Sequence, residues 1–341
     1  MADSTAETEG LVGPHEVRAA AHRLRGHIHR TPLLSTRSLA ERVGQPVSLK
    51  AESLQRTGAF KIRGALNRMA EVGPAPAGVV TVSAGNHAQA VALAGSRMGL
   101  RSRLVMPEDA PESKVKATRE YGGEVLQYGS VFDAFKEAER IAREEGAVFV
   151  HPFDDRAVIA GQGTVAMEIL EEEANPAAVV VPVGGGGLLA GVAAWVSRMA
   201  PNTPVFGVEP EGAASMARSM EAGTPVRLDQ VDTMAEGLAS PQAGERTFAH
   251  ARRLCAGVVT VPDRAIREAV VFLAERARLV VEPAGAAAVA ALMENALPLP
   301  PLREGGGDGS VVAILSGANV DLGRLAHLLK DGGGEPRRGG G

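Results

Sequence analysis

The sequence lacks the marks of several protein classes. Its 341 residues include one cysteine, Cys255, so neither a disulfide framework nor a cysteine-based zinc cluster is expected. No apolar run is long enough to cross a bilayer, and the N-terminus has no charged segment followed by an apolar one. The 36 basic and 40 acidic residues give a net charge of −4 without a basic stripe. We therefore expect a cytoplasmic protein with neither a membrane nor a nucleic acid among its partners.

Lysine is scarce as well, since only six of the 36 basic residues are Lys. A deprotonated amine is available to Lys and not to Arg, so each lysine is a candidate for chemistry. The six are Lys50, Lys61, Lys114, Lys116, Lys136 and Lys330.

What the sequence contains is an alternation of short β-branched runs with longer segments of helical period. This alternation predicts an α/β protein with mostly parallel sheets covered by helices on both faces, and the length predicts two lobes. Predicted strands are Val79–Val82, Arg103–Met106, Glu124–Gln127, Ala147–Val150, Ala178–Val183, Val205–Glu209, Val258–Val261 and Val311–Leu315. Predicted helices are His87–Met98, Phe132–Arg143, Val158–Glu172, Leu188–Met199, Ala265–Arg276 and Ala284–Met293.

The segment from Gln55 to Ala65, QRTGAFKIRGA, places a glycine just before the pair Phe60-Lys61 and a helical run after it. Lys61 would then lie at a helix N-terminus, where the helix dipole and Arg63 disfavour an ammonium and lower its pKa. A lowered pKa is what a Schiff-base lysine needs. These residues alone favour the alternative, an ordinary surface lysine at a helix start.

A second segment, VPVGGGGLLAG from Val181 to Gly191, runs from an apolar strand through four glycines into a helix. Glycines let successive N–H groups approach a phosphate, and the helix N-terminus favours its charge. The Gly-Lys-Ser/Thr of a Walker loop is absent. The segment therefore predicts a phosphate-binding loop but does not identify the molecule that carries the phosphate.

Two further segments follow predicted strands. The sequence SAGNHAQ from Ser83 to Gln89 begins a helix beside a hydroxyl and an amide, which suits a carboxylate or a phenolic oxygen. His87 could equally be a core or capping histidine. The sequence LSGANVD from Leu315 to Asp321 places Ser316 at the carboxyl end of a predicted strand. Ligands of parallel sheets usually bind at that end.

In this order, from about Thr31 to Gly323, the four segments resemble the fold-type II pyridoxal-phosphate enzymes. Within that family they look most like threonine/serine dehydratases and serine racemases. Three more segments support the resemblance: His151–Thr164, Ala235–Gly237 and Val281–Gly285. It implies two lobes with the fold of the tryptophan synthase β-subunit: a large cofactor domain over residues 14–72 and 156–330 and a small domain over 73–155. Residues 1–13 would be a disordered lead-in, and 331–341 a flexible tail.

The resemblance also implies roles for individual residues. Lys61 would carry pyridoxal phosphate as a Schiff base and act as general base at the substrate Cα, with Phe60 packed on the cofactor ring. The phosphate would be bound by Gly184, Gly185, Gly186, Gly187 and Leu188. Asn86 would bond the phenolic oxygen, Ser316 would face the pyridine nitrogen, and Gly237 would pass close to the ring. The substrate would be held by Ser83, Ala84, Gly85, Asn86 and His87.

Departures from the family pattern narrow the expectation. Serine racemases have a serine where this chain has Ala84, and that serine reprotonates Cα, so we expect elimination without racemisation. Racemase-like members bind a divalent cation through a glutamate matched by Glu209 and an aspartate six positions on, where this chain has Ser215. A Mg²⁺ or monovalent cation at Glu209 is therefore a weaker expectation.

The expected function is dehydration of L-threonine or L-serine to a 2-oxo acid and ammonia. No effector-binding module follows Asp321, which favours a catabolic type, and the family implies a homodimer or homotetramer. Three alternatives remain open: a serine racemase, a dehydratase for threo-3-hydroxyaspartate or phenylserine, and a non-catalytic or nucleotide-binding α/β protein. Substrate selection is expected around Gly129–Asp133 and Ala235–Ser240.

Overall fold

A computed structural model of the chain describes residues 10–73, 75–301 and 309–331. Most of the expected lead-in and nearly all of the expected tail lie outside these residues. Of the lead-in, Leu11 and Val12 are described and buried. The Val12 N–H donates to His250 Nε2 at 2.8 Å, which ties this segment to the core.

The described chain forms ten strands in two sheets. They are β1 (Leu33–Ser35), β2 (Val47–Lys50), β3 (Val79–Val82), β4 (Ser102–Met106), β5 (Glu124–Gln127), β6 (Val148–Phe149), β7 (Ala178–Pro182), β8 (Val205–Pro210), β9 (Gly257–Val261) and β10 (Val311–Ile314).

Thirteen α-helices occur in the same residues. They are α1 (Pro14–Leu24), α2 (Arg37–Val43), α3 (Lys61–Val72), α4 (Asn86–Met98), α5 (Glu112–Glu120), α6 (Val131–Glu145), α7 (Arg156–Glu172), α8 (Gly187–Met199), α9 (Ser215–Ala222), α10 (Glu245–Leu254), α11 (Asp263–Phe272), α12 (Pro283–Met293) and α13 (Leu322–Asp331). The predicted helix Ala265–Arg276 is divided, because α11 passes into a π-helical turn over Leu273–Ala277.

The two sheets confirm the predicted α/β class with mostly parallel strands. The larger sheet has the order β1-β2-β10-β7-β8-β9, and only β1 runs antiparallel to its neighbour. The smaller sheet has the order β5-β4-β3-β6 and is parallel throughout. All strands of the smaller sheet fall within the expected small domain, residues 73–155, and all strands of the larger sheet fall outside it.

Each sheet is buried on both faces, as the continuous apolar runs require. In β7, Ala178 and Val180 pack in one hydrophobic cluster with α12, whereas Val179 and Val181 pack in another with α7 and α8. In β3, Val79 faces α4 and Val80 faces α6. Helices on both faces leave the carboxyl ends of the parallel strands as the place where a site can open.

No helix among the described residues is both long and apolar enough to span a bilayer.

Candidate active site

One cavity of about 650 Å³ is lined by nearly every site residue that was predicted from the sequence. It lies where β3, β7 and β10 end, so the segments that follow these strands meet there. The nominated residues that line it are Phe60, Lys61, Ser83, Ala84, Gly85, Asn86, His87, Gly184, Gly185, Gly186, Gly187, Leu188, Gly237 and Ser316. Glu209 is the nominated residue that does not line it.

Lys61 is the first residue of α3 and points its amine into the protein. A tight turn precedes it, in which Thr57 (φ +61°) and Gly58 (φ +69°) both adopt the left-handed conformation. Lys61 Nζ donates to the carbonyl of Pro152 at 2.8 Å. Burial lowers the pKa of this amine to about 8, so a large fraction is uncharged in mildly alkaline solution.

The cause of this lowered pKa differs from the one predicted. The sequence argument assigned it to the helix dipole and Arg63, but Arg63 is fully buried and its guanidinium is paired with Glu52 and Glu168. Its charge is therefore neutralised, and desolvation of Lys61 is the cause. The neighbouring imidazoles add no fixed positive charge, because burial lowers the pKa of His87 to about 3 and of His151 to about 4.

The glycine loop after β7 forms an open cradle of N–H groups. Within the described chain, the N–H groups of Gly184, Gly185 and Gly186 donate to no protein acceptor, and α8 has no side-chain cap. A Cβ at Gly185 would collide with the ring of Phe153, and Gly186 has φ +91°. Thr247 Oγ1 donates to the Gly185 carbonyl at 2.7 Å, so this oxygen is already engaged. The loop therefore requires glycine and presents donors to an anion.

A second helix N-terminus opens into the same cavity at α4. Its N-cap residue is Gly85, whose N–H donates to Ser83 Oγ at 3.1 Å, and no side chain caps the helix. His87 is buried and its Nε2 lies 3.2 Å from the Val150 carbonyl, while its Nδ1 has no partner among the described residues. The cavity thus offers one anion-binding helix end for a phosphate and another for a carboxylate.

Asn86 belongs to a hydrogen-bond network that sequence reasoning missed. Its Nδ2 donates to Glu282 Oε1 at 2.6 Å, and its Oδ1 accepts from Asn319 Nδ2 at 2.7 Å. Asn319 Nδ2 also donates to the Thr57 carbonyl at 2.6 Å. These bonds fix which end of the Asn86 amide is the donor. Glu282 and Asn319 both lie in segments on which the family resemblance is based. No local sequence pattern indicated that either of them contacts Asn86.

Ser316 and Gly237 lie beside the same network. Ser316 is buried, its Oγ donates to the Ala284 carbonyl at 3.4 Å, and its carbonyl accepts from the Phe60 N–H at 3.1 Å. This last bond ties the end of β10 to the segment that carries Lys61. A Cβ at Gly237 would lie 2.8 Å from the Ala284 Cβ, so only glycine fits there. The roles assigned to both residues stay predictions.

Glu209 serves a different purpose in the structure. Its two carboxylate oxygens accept the N–H groups of Met216 and Ala217, each at 2.8 Å, so the carboxylate caps α9. Burial raises the pKa of Glu209 to about 7. Among the described residues, no group of three His, Cys, Asp or Glu side chains is arranged to hold a metal ion. A cation at Glu209 stays a prediction, which chelator titration against activity and melting temperature tests.

The residues present fit pyridoxal phosphate. The cofactor needs an amine for its aldehyde, donors for its phosphate and polar groups at its phenolic oxygen and ring nitrogen. Lys61, the loop from Gly184 to Gly187, Asn86 and Ser316 supply these in one cavity. The glycine loop is also too tight for any Cβ at Gly185, which leaves its N–H groups bare toward the cavity.

Comparison with known proteins gives the same result. Residues 24–317 match the model of the pyridoxal-phosphate dependent enzyme family. The chain is 42% identical over 320 residues to an L-threonine ammonia-lyase of Geobacter sulfurreducens, covering 93% of this chain and 78% of that protein. It is 38% identical over 327 residues to a serine racemase of Schizosaccharomyces pombe, covering 94% and 99%. The processed form of threonine deaminase isoform 2 from Solanum lycopersicum superposes with a TM-score of 0.86 at 38% identity, covering 96% and 88%. The chain belongs to the fold-type II family of pyridoxal-phosphate dependent enzymes.

Proposed function

We propose that this protein eliminates water from L-threonine or L-serine and releases a 2-oxo acid and ammonia. The observation that carries the proposal is the position of the Lys61 amine, buried in one cavity with two uncapped helix N-termini. One suits the cofactor phosphate and the other suits the carboxylate of an amino acid. The relatives named threonine ammonia-lyase and threonine deaminase support this reaction.

The roles of the residues follow from their positions. When bound, pyridoxal phosphate supplies the electron sink for the pair released from the Cα–H bond. Lys61, whose lowered pKa of about 8 makes the uncharged amine accessible, takes the proton from Cα, since its amine lies at the cavity wall beside Pro152. The N–H groups at the start of α4 hold the substrate carboxylate, and the Asn86 amide is oriented by Glu282 and Asn319.

The net reaction balances without a further reagent. The Cα–H and Cβ–O bonds break, a carbon–carbon double bond forms, and the hydroxyl leaves with a proton as water. The enamine that remains takes up one water to give the 2-oxo acid and ammonia, so threonine yields 2-oxobutanoate. Ser316 supports elimination over transamination, because a neutral hydroxyl does not hold the ring nitrogen protonated as a carboxylate would.

Serine racemisation is the second candidate function, because a serine racemase matches the chain along 99% of that enzyme's length. Racemisation requires a proton donor on the face of Cα opposite the lysine. Ala84 lines the cavity at the position that the racemases fill with serine, and its methyl group has no proton to give. Elimination is therefore favoured over inversion.

The test is a substrate panel on the holoenzyme: L-serine, L-threonine, threo-3-hydroxyaspartate and phenylserine. Release of 2-oxo acid and ammonia from serine or threonine is expected, with D-serine formed far more slowly. Lys61→Ala should abolish the activity, whereas Lys116→Ala, whose side chain is 77% exposed, should leave it unchanged. Formation of D-serine at a rate near turnover, or the absence of 2-oxo acid with every substrate, would contradict the proposal.

We also propose that the protein is a cytoplasmic homodimer or homotetramer. Exposed apolar side chains such as Leu54 and Val280 support self-association, since each leaves about half of its surface in solvent. Sedimentation equilibrium gives the mass of the particle directly, and a monomer across the micromolar range would contradict this expectation.

A further inference from the structure

One wall of the cavity is apolar, and the smaller sheet and its helices provide it. Val82 at the end of β3, Pro107 after β4, and Val131 and Phe135 on α6 all line this side. The same cavity is also lined by the glycine loop, by Glu282 and by polar residues that follow β3, such as Ser83 and Gln89. A ligand in the cavity would therefore meet both apolar and polar groups.

The apolar wall is backed by a cluster of aromatic rings. The Phe135 ring lies 5.6 Å from Phe149 and 6.4 Å from His151, in both cases edge to face. The His151 ring lies 4.7 Å from Phe153 at an angle of 89°. The chain has only eight Phe, and three of them meet here. Such edge-to-face contacts are favourable, and they support Phe135 where its side chain lines the cavity.

His151 connects this surface to the reacting amine. Its Nδ1 accepts the N–H groups of Phe153 (3.2 Å) and Asp154 (2.7 Å), which fixes the ring. The next residue, Pro152, offers its carbonyl to Lys61 Nζ at 2.8 Å. The aromatic cluster is thus connected to the reacting amine through two consecutive residues, His151 and Pro152. His151 keeps this wall uncharged, because burial lowers its pKa to about 4.

Cations at the cavity are already engaged. Lys114 on α5 and Arg324 on α13 both pair with Glu236, and Arg324 Nη2 also donates to the Met234 carbonyl at 2.7 Å. Lys61 Nζ donates to the Pro152 carbonyl and is the amine that would carry the cofactor. Among the described residues that line the cavity, no unpaired cation is left for a second carboxylate of a substrate. An acidic side chain placed there would be desolvated without a partner, which is costly.

We propose that Phe135 is the residue that determines substrate specificity, by selecting an apolar substituent on Cβ. This inference rests on the proposed function and names the substrate class for that same site. L-Threonine, whose Cβ carries a methyl group, is preferred to L-serine, and acidic β-hydroxy amino acids are rejected. One methyl group in an apolar pocket gives a preference of roughly 10-fold to 200-fold.

Equilibrium binding of unreactive amino acids tests this inference separately from the reaction. L-Alanine and L-2-aminobutyrate correspond to serine and threonine without the hydroxyl, and they differ by one carbon. Their dissociation constants are measured on the holoenzyme from the change in cofactor absorption. We expect L-2-aminobutyrate to bind about 10-fold more tightly than L-alanine, and L-aspartate more weakly than either.

Variants then assign the preference to one side chain. Phe135→Ala should reduce the ratio of the two dissociation constants to about threefold or less, because the packing surface is removed. Phe135→Leu should keep the fold and give a ratio of dissociation constants between those of the wild type and Phe135→Ala. If Phe135→Ala fails to bind cofactor, the ratio measured for Phe135→Leu tests the role of Phe135. Phe132→Ala is the matched control, since Phe132 lies on the same helix, is 57% exposed and does not line the cavity. Its ratio should equal that of the wild type.

The outcomes separate the two proposals. An unchanged ratio in both Phe135 variants, or L-aspartate as the tightest ligand of the wild type, would overturn the role of Phe135. A normal ratio combined with no release of 2-oxo acid from either serine or threonine would instead contradict the proposed reaction while supporting the selection by Phe135.

Discussion

Arg63 offers the sharpest test of how this site is held, since it lies two residues after Lys61 on α3 and is fully buried. Its guanidinium donates to both oxygens of Glu52 at 2.8 and 2.7 Å and to both oxygens of Glu168 at 2.7 and 2.8 Å. Lys50 Nζ completes the group with a bond to Glu168 at 2.7 Å. The network ties α3 to β2, to the turn at Glu52 and to α7.

Replacement by glutamine, Arg63→Gln, keeps a long polar side chain but removes the charge and the forked donors. Glu52 then keeps the Thr31 hydroxyl, at 2.5 Å, as its one remaining side-chain partner and stays fully buried. Removing one partner of a buried ion pair costs about 3–5 kcal/mol, because the remaining charge is desolvated and uncompensated. At about 2–4 °C per kcal/mol for large domains, the melting temperature should fall by roughly 6 °C or more.

The assay is thermal unfolding of the apoenzyme and holoenzyme by circular dichroism. Arg37→Gln is the matched control, since Arg37 pairs with Glu41 on a helix surface and is 91% exposed, so its loss should cost less than about 0.5 kcal/mol. The double variant Glu52→Gln/Arg63→Gln should recover part of the loss, because it removes the uncompensated carboxylate. A melting temperature for Arg63→Gln equal to that of Arg37→Gln would refute this reasoning.

Three further outcomes follow from the site. The rate at which pyridoxal phosphate attaches to the apoenzyme should rise with pH through about 8, the lowered pKa of Lys61, and a midpoint near 10.5 in stopped-flow absorption would contradict this. Gly185→Ala should weaken cofactor binding roughly 10-fold to 100-fold in equilibrium dialysis, since its Cβ would collide with Phe153; Gly257→Ala, with open space around it, should bind normally. Burial raises the pKa of Glu209 from 4.5 to about 7, so between these pH values the folded state holds a proton that the unfolded state has lost. The contribution of Glu209 to the free energy of unfolding therefore falls as pH rises from about 4.5 to 7. Urea unfolding at several pH values should show a smaller decrease in Glu209→Gln than in the wild type.

The fold was largely predictable because its signals are local. The strand predicted over Glu124–Gln127 is β5, and that over Val79–Val82 is β3, residue for residue. In both, a glycine follows the strand within three residues, Gly85 after β3 and Gly129 after β5, and such breaks are determined by neighbouring residues. The order of the strands in each sheet was not predicted, because pairing depends on residues far apart in the chain.

Contacts across long stretches of sequence could not be predicted from patterns. Asn86 and Glu282 are 196 residues apart, and Asn86 and Asn319 are 233 apart, yet one amide joins all three. The apolar wall at Phe135 has the same character. Phe135 lies on an amphipathic helix, where a phenylalanine is expected to face the core. Only the tertiary structure shows that the Phe135 ring lines a cavity.

Glu209 and the glycine loop show why a polar or flexible residue after a parallel strand is ambiguous. Glu209 lies near the carboxyl end of β8, the glycine loop follows the neighbouring strand β7, and both lie before a helix. Every helix begins with N–H groups that need an acceptor. At α9 the protein supplies one itself, since Glu209 accepts from Met216 and Ala217. At α8 and α4 no side chain caps the helix, and the donors stay open to the cavity. A strand end can therefore become a binding site where the protein withholds its own acceptor, and α8 and α4, whose first residues line the cavity together with Lys61, are two such helices.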